Sequence, residues 1–252
     1  MVDFKGPIWD GIFDCFEKVP KENLGFEEKA HISLYVKQAK TDINSYLGNE
    51  NAIPPFNRRP CSLSMLIAAA YSSDTPLQIL DFGGGTGLMY LSVVHETSNK
   101  IDYTIIENTG ICEAANELFK DNSDIRFLVQ IPDNIEIDIL YVNSVMQYIG
   151  NWKEVISKLC EVSSEYILFD DLYAGDIPNF ISTQKYYESL IPHRFFNVES
   201  FIEEVEKHNY QLQLKQKHNS PVLGKSDVLP MTNFPLEFQL DYACTLLFRR
   251  NS

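Results

Sequence analysis

A glycine-rich segment with an acidic residue at its start is the feature of this sequence that most directly suggests chemistry. Residues 81–87 read Asp-Phe-Gly-Gly-Gly-Thr-Gly and follow the apolar run Leu77–Leu80. Glycines permit positive φ and let the backbone approach a ligand without an intervening Cβ, and ligands of open α/β sheets bind beyond the carboxyl ends of the strands. The segment therefore predicts a cofactor loop. Its candidate contact residues are Asp81, Phe82, Gly83, Gly85 and Gly87.

A second acidic residue follows the next apolar run. Tyr103–Ile106 is typical of a buried strand, and Glu107 comes directly after it. A carboxylate at this position can accept hydrogen bonds from both hydroxyls of a ribose, and Asn108 beside it is a further candidate contact. Enzymes that bind NAD also use a carboxylate at this position, so Glu107 alone leaves the identity of the cofactor open.

A dinucleotide-binding fold is the main competing interpretation of the glycines. Its fingerprint, G-x-G-x-x-G, uses the third glycine to pack the helix against the strand. Gly83 and Gly85 fit, but the third position is Leu88. An NAD-dependent oxidoreductase is therefore disfavoured and is kept as an alternative.

The elements that must position these residues alternate along the chain from Leu77 onward. Alternating strands and helices build a parallel sheet with right-handed crossovers. Strands are predicted at Leu77–Phe82, Tyr103–Glu107, Ile125–Val129, Asp138–Asn143 and Tyr166–Asp170, with helices ending near His95, Phe119 and Cys160 between them. A helix at Asn197–His208 and two antiparallel strands, Tyr210–Lys217 and Phe238–Phe248, complete the predicted α/β architecture.

The part of the chain before residue 76 has a different pattern. Apolar residues such as Ile32, Val36, Ala39 and Ile43 recur at helical spacing. We therefore expect a helical cap over residues 1–75, covering the cofactor and shaping the acceptor pocket, and a cofactor-binding domain over residues 76–252.

The pattern Asp-x-Gly-x-Gly-x-Gly at residues 81–87 resembles the first motif of the class I S-adenosylmethionine-dependent methyltransferases. This resemblance implies a Rossmann-like, doubly wound and mostly parallel sheet of seven strands. It implies S-adenosylmethionine as the cofactor and S-adenosylhomocysteine as the product. Gln130 and Ile131, after the third strand, would lie near the adenine, and Ser144, after the fourth strand, near the cofactor.

A narrower resemblance extends along most of the chain. Trp9–Pro20, Asp138–Ile149, Gln184 and Tyr186–Phe196 are similar to segments of methyltransferases associated with bacterial capsule and surface-polysaccharide synthesis. This similarity implies O-methylation of a sugar or sugar nucleotide. The chain departs from that group at Asp170–Tyr173, where an Arg-Thr-Pro-like turn is common, so substrate contacts of that turn do not carry over. A non-catalytic partner subunit that keeps the fold is the other alternative.

The acceptor side is predicted in the long connection Asp171–Phe196, interpreted as a lid, a binding loop or an extra helix. His193 is the best candidate for a general base because its ordinary pKa suits proton transfer near neutral pH, and Asp171 is the alternative. His193 could instead be a loop residue that caps the following helix. The candidate substrate-binding residues are Gln184, Tyr186, Tyr187 and Arg194.

Composition excludes several classes of partner. The net charge of −14 should repel a nucleic-acid backbone. The five cysteines are widely spaced and are expected to be free thiols, and Asp170–Asp171 lacks a clear third ligand for a metal ion. No apolar run is long enough to cross a bilayer and no signal peptide is recognisable, so a cytoplasmic protein acting on a small molecule is expected. The oligomeric state is left open.

Overall fold

The computed structural model describes residues 6–22, 32–33, 36–37, 39–41, 43, 62–72, 74–133, 135–186, 189–219 and 228–251. Much of the predicted helical cap and the candidate substrate residue Tyr187 lie outside these ranges. The described residues between 32 and 43 are helical, as their spacing predicts, and Ala39 and Ile43 are buried.

The described part of the chain contains strands and helices whose bounds follow in chain order. The strands are β1 (Trp9–Phe13), β2 (Leu77–Phe82), β3 (Ile101–Ile106), β4 (Ile125–Leu128), β5 (Ile139–Asn143), β6 (Tyr166–Leu172), β7 (Ala174–Gly175), β8 (Phe180–Tyr186), β9 (Ser189–Asn197), β10 (Tyr210–His218) and β11 (Ala243–Arg250). The α-helices are α1 (Ser62–Ala70), α2 (Leu88–Glu96), α3 (Thr109–Leu118), α4 (Trp152–Glu161) and α5 (Val198–Glu206). Short 3-10 helices lie at Phe16–Lys18, Met146–Tyr148 and Leu236–Phe238.

Seven of the strands form one sheet in the order β10-β11-β6-β5-β2-β3-β4. β2 pairs in parallel with both β3 and β5, and β3 pairs in parallel with β4. β11 runs antiparallel to β6 and to β10. The predicted seven-stranded, mostly parallel α/β sheet is confirmed, with both antiparallel pairings at one end.

A second sheet of four strands has the order β1-β8-β9-β7. The strands of this sheet correct two predictions made from the sequence. Trp9–Phe13 is a strand and not a helix, and most of the Asp171–Phe196 connection is a β-hairpin and not a lid loop or a helix. Burial alternates along most of β9, which is the period-2 pattern of a half-buried strand. Pro192 is tolerated because β9 pairs with β7 only at Phe196 and Asn197, which leaves its other edge open at the proline.

The chain divides into two compact units. One contains Met1–Gly25 and Asn143–Ser252, and the other contains Phe26–Val142. The second unit holds the glycine-rich loop. The first holds the four-stranded sheet and an aromatic core that includes Trp9, Tyr173 and Phe195. The predicted boundary at residue 75 stays a prediction.

None of the helices in the described ranges is long and apolar enough to span a membrane.

Candidate functional site

The glycine-rich loop lies between β2 and α2, as predicted. Gly83, Gly85 and Gly87 have φ of 76°, 59° and 82°, a region that side chains with a Cβ rarely adopt. The N–H of Gly83 donates to the carbonyl of Ile106 over 2.9 Å, which ties the start of the loop to the end of β3. The glycines are therefore required by the backbone path itself.

Asp81 is a buried carboxylate at the base of this loop. Its Oδ2 accepts a hydrogen bond of 2.8 Å from the hydroxyl of Tyr103, whereas Oδ1 has no hydrogen-bond partner among the described residues. Burial raises the pKa of Asp81 to about 7, and the nearby charge of Glu107 adds to this effect. A Cβ on Gly84 would collide with the Asp81 carboxylate, so the loop backbone passes directly against it. A cation or an N–H donor at Oδ1 would relieve the cost of burying this charge.

Glu107 follows β3, as predicted. Its Oε2 accepts the backbone N–H of Asn108 at 2.5 Å and the Asn108 side-chain amide at 3.0 Å. Asn108 in turn caps α3 by accepting the N–H of Ile111 at 3.0 Å. Burial raises the pKa of Glu107. The start of α3 therefore holds this carboxylate in one orientation.

Three strand ends meet at this edge of the sheet. Phe82 pairs with Ile106 at the ends of β2 and β3, and the N–H of Glu107 donates to Leu128 at the end of β4 over 3.0 Å. Gln130, which is exposed, and Ile131 come after β4, separated from it by Val129. The parallel register thus brings the loop, Glu107 and the segment after β4 to one edge, as the sequence predicts.

Thr86 is a site candidate that the sequence analysis missed. Its side chain is buried, and its hydroxyl has no hydrogen-bond partner among the described residues. The feature of the sequence that could have identified Thr86 is its position within the glycine-rich motif. The unpartnered Asp81 and Thr86 oxygens, with the oriented Glu107, fit a ligand that carries an ammonium group and a ribose.

In the other unit, the backbone is strained at two strand ends. Ser144, after β5, has φ of 54°, and Asp171, in β6, has φ of 49°. The N–H of Ser144 donates to the carbonyl of Asp170 over 3.0 Å, and the amide of Gln147 donates to the Ser144 hydroxyl over 3.1 Å. Left-handed residues other than glycine concentrate at functional sites, so both are kept as site candidates.

His193 does not lie in a loop but in β9, and it is fully buried. Its ring packs against Trp9, Tyr148, Tyr173 and Phe195, with centroid distances of 4.6 to 5.4 Å. Burial lowers its pKa to about 3, so the imidazole is neutral at pH 7 and a weak proton acceptor. The helix that follows is capped by the Asn197 side chain, which accepts the N–H of Ser200, and not by His193.

Three other residues that were predicted to bind the acceptor, Gln184, Tyr186 and Arg194, have contacts within the protein. Gln184 pairs with Trp9 across β8 and β1, and Tyr186 pairs with Ser189 at the hairpin. The Arg194 guanidinium donates to the carbonyl of Gly150 over 3.2 Å and lies over the Phe16 ring. Arg194 therefore has partners within the protein, and its role as a substrate-binding residue stays a prediction.

His218, which is partly buried, pairs with the buried Asp170, a contact that no local sequence pattern indicates. Its Nδ1 lies 2.7 Å from Oδ1 of Asp170, and the Thr245 hydroxyl donates to the same oxygen. These residues come from β10, β6 and β11, so only sheet pairing brings them together. Within the described ranges, no cluster of three or more acidic, histidine or cysteine side chains could hold a metal ion.

Comparison with solved structures identifies the architecture. An S-adenosylmethionine-dependent methyltransferase from Clostridium acetobutylicum matches with a TM-score of 0.55 at 11% identity, over 86% of this chain and 99% of that one. The 1,6-didemethyltoxoflavin-N1-methyltransferase of Burkholderia thailandensis, solved with 1,6-didemethyltoxoflavin and S-adenosylhomocysteine, matches with a TM-score of 0.54 at 14% identity, over 93% and 100%. The cyclase SpnF matches with a TM-score of 0.53 at 16% identity, over 87% and 94%.

No protein-family model and no curated protein sequence matches this chain. At these identities the structural likeness defines the fold and not the reaction, since one fold hosts several chemistries. The chain has the Rossmann-like methyltransferase fold.

Proposed function

We propose that this protein is an S-adenosylmethionine-dependent methyltransferase that acts on a hydroxyl group of a small molecule. The observation that carries the proposal is the buried Asp81 carboxylate, whose Oδ1 lacks a protein partner at the base of the glycine-rich loop. A buried carboxylate with an unpaired oxygen is costly unless a ligand pairs with it. The methyltransferase fold and the oriented Glu107 support the same assignment.

In this proposal, each group of the loop edge has a stated role. Asp81 and Thr86 bind the amino-acid part of the cofactor, and Glu107 accepts the ribose hydroxyls. Gln130 and Ile131 lie beside the adenine. When bound, S-adenosylmethionine supplies an electrophilic methyl group on a sulfonium. The protein's contribution is to position the acceptor in line, to exclude water and to accept a proton.

The proton of an acceptor hydroxyl must leave as the oxygen forms its new bond to carbon. We assign its removal to Asp171, because a neutral His193 with a pKa of about 3 is a poor base. Asp171 should be tested by Asp171→Asn in a methyl-transfer assay with labelled cofactor. A general base contributes roughly a hundredfold or more, so the variant should lose about that factor in kcat while cofactor affinity is kept. Near-native turnover would show that catalysis here is positional.

A sugar or sugar nucleotide of surface-polysaccharide synthesis is the acceptor that the sequence resemblance favours, in a protein expected to be cytoplasmic. This finer assignment rests on that resemblance alone. The acceptor should be identified by incubating the protein with labelled cofactor and separate panels of monosaccharides, nucleotide sugars and phenols. Methyl transfer to phenols only would replace the carbohydrate assignment and leave the methyltransferase proposal intact.

Calorimetry distinguishes the proposal from its two alternatives. The protein should bind S-adenosylmethionine and S-adenosylhomocysteine but not NAD. Tight NAD binding would indicate an oxidoreductase. Cofactor binding without methyl transfer to any panel would indicate a non-catalytic partner subunit, and failure to bind either cofactor would refute the cofactor assignment.

A further inference from the structure

Besides Arg194, which lies on the opposite face of β9 from His193, four residues of one unit carry buried polar atoms that nothing in the described structure pairs. The atoms are Nε1 of Trp9, Oε1 of Gln147, Oε1 of Gln184 and both ring nitrogens of His193. We call these four residues the polar cluster. Buried polar atoms in folded proteins nearly always have partners, so unpaired atoms on neighbouring residues need an explanation.

The strand register places three members of the polar cluster on one face of the four-stranded sheet. Trp9 is the direct partner of Gln184, and His193 is the direct partner of Ser182. Paired residues share a face, and so do residues two apart in one strand, which puts Gln184 on the face of Ser182. Trp9, Gln184 and His193 therefore face the same side.

The 3-10 helix Met146–Tyr148 brings the fourth member to this face. The Tyr148 ring lies 5.4 Å from the His193 ring, and the side chains of Gln147 and Gln184 both hydrogen-bond to Tyr148. Gln147 also donates to Ser144. The polar cluster is thus one site, built between a sheet face and a 3-10 helix and linked to the strained residue that follows β5.

Internal contacts do not account for all of the unpaired atoms. The Tyr148 and Tyr173 rings stand nearly perpendicular to the His193 ring, at 86° and 87°, so an imidazole N–H can make a weak contact with a ring face. A ring face offers no donor to the glutamine oxygens. The Tyr148 hydroxyl has a single hydrogen to donate, so it satisfies at most one of the two glutamine oxygens.

The chemistry of these atoms defines what would pair with them. The indole supplies a donor, the two amides supply acceptors, and the imidazole supplies one of each. No member carries a charge, since the buried His193 is neutral at pH 7. A hydroxyl group both donates and accepts, so two or more hydroxyls on one molecule match the set, and the Trp9 and Tyr173 rings offer apolar contact.

We propose that the polar cluster binds the methyl acceptor, and that the part of the acceptor held there is a neutral ring bearing at least two hydroxyl groups. This inference rests on the proposed methyltransferase function. His193 binds the acceptor as a neutral hydrogen-bonding group, and Trp9, Gln147 and Gln184 determine which hydroxylated ring is accepted. A charged group such as a phosphate has no counterpart in the polar cluster.

Substitution of the amides gives a test that separates binding from a structural role. In Gln184→Leu and Gln147→Leu, the unpaired oxygen is replaced by an apolar group of similar size. Each substitution also removes the amide hydrogen bonds to Tyr148 and, at Gln147, to Ser144, so the free variants should fold with a somewhat lower melting temperature than the parent. The exposed Gln213→Leu is the matched control and should leave every measurement unchanged. If both variants keep the circular dichroism spectrum of the parent and still bind a neutral hydroxylated ring as tightly as the parent does, the proposal is overturned.

Binding is followed through the indole N–H signals of the protein's two tryptophans, assigned with Trp9→Phe. The probes are methyl α-glucopyranoside and catechol, two neutral hydroxylated rings, and inorganic phosphate. One neutral probe should shift the Trp9 signal, and the probe that does so identifies a sugar or a phenol. The glutamine variants should weaken that binding at least tenfold. A response to phosphate alone, or no shift with either neutral probe, would overturn the proposal.

Calorimetry with S-adenosylmethionine keeps this result distinct from the proposed function. Cofactor affinity should be the same in the parent and in Gln184→Leu. If the parent binds the cofactor but neither neutral probe, the acceptor-site inference is wrong and the cofactor assignment stands. If a neutral probe binds and the cofactor does not, the proposed methyltransferase function is wrong.

Discussion

The hydroxyl of Tyr103 donates a 2.8 Å hydrogen bond to Oδ2 of Asp81, and both side chains are buried. This bond favours the charged carboxylate, but burial acts more strongly and raises the pKa of Asp81 to about 7. The carboxyl group is therefore only partly ionised at neutral pH in the free protein. A cationic ligand that pairs with Oδ1 should complete its ionisation.

Cofactor binding should consequently depend on pH. Because the pKa of Asp81 falls when the cation binds, the complex holds fewer protons than the free protein, so affinity should rise with pH up to about 7 and then level off. Calorimetric titrations with S-adenosylmethionine between pH 5.5 and 8.5 would show this profile. Tyr103→Phe removes a bond that lowers the pKa and should move the plateau to higher pH. Asp81→Asn should remove the part of the dependence that Asp81 causes and leave the contribution of Glu107, whose pKa burial also raises. A flat profile for the parent would contradict this role of Asp81.

Glu107→Gln should weaken cofactor binding. The glutamine keeps the size of the side chain but removes the charge that strengthens hydrogen bonds to ribose hydroxyls. The expected loss is about 2 kcal/mol, or about thirtyfold in Kd. Glu113→Gln, at an exposed position of α3, is the matched control. Equal affinities for the parent and Glu107→Gln would exclude Glu107 from the ribose site.

Gly84→Ala should destabilise the glycine-rich loop. The added Cβ would collide with the Asp81 carboxylate, and overpacking of this kind costs typically about 1–3 kcal/mol. Thermal unfolding should show a lower Tm, and calorimetry a weaker affinity for S-adenosylmethionine. At Gly150, a Cβ would first meet Phe16 at 3.7 Å, an ordinary contact. Gly150→Ala should therefore be tolerated, and similar losses in both variants would argue against a specific collision.

Acid should destabilise the protein partly through His193. Burial lowers the pKa of His193 from 6.5 to about 3, so the unfolded chain binds a proton at His193 that the folded chain does not. The stability contributed by the neutral ring is complete above pH 6.5 and falls by at most about 1.4 kcal/mol per pH unit between pH 6.5 and 3.

Denaturant unfolding at several pH values would measure this effect. His193→Gln cannot take up the proton and should have a smaller loss of stability below pH 6.5. His95→Gln, at an exposed position of α2, is the control. An identical acid profile for His193→Gln and the parent would show that His193 is not buried in its neutral form.

Much of the fold could be predicted because local patterns specify it. The apolar runs ending at Phe82 and Ile106 became β2 and β3, and the glycines between β2 and α2 adopt the positive φ that they permit. Trp9–Phe13 was misassigned because it pairs with β8, which is far away in the sequence. A strand that depends on so distant a partner carries little local signal.

The sequence by itself determined where the candidate cofactor residues lie: the carboxyl ends of parallel neighbouring strands meet at one edge, which brings Asp81, the glycines and Glu107 together. Only the tertiary structure decided the surroundings of the candidate acceptor residues. The pairing of β1, β8 and β9 brings Trp9, Gln184 and His193 to one face, and the resulting burial keeps His193 neutral where its ordinary pKa suggested a base. The physical reason is that side-chain burial and the pairing of distant strands depend on the whole packed chain, whereas motifs and periodicity are local.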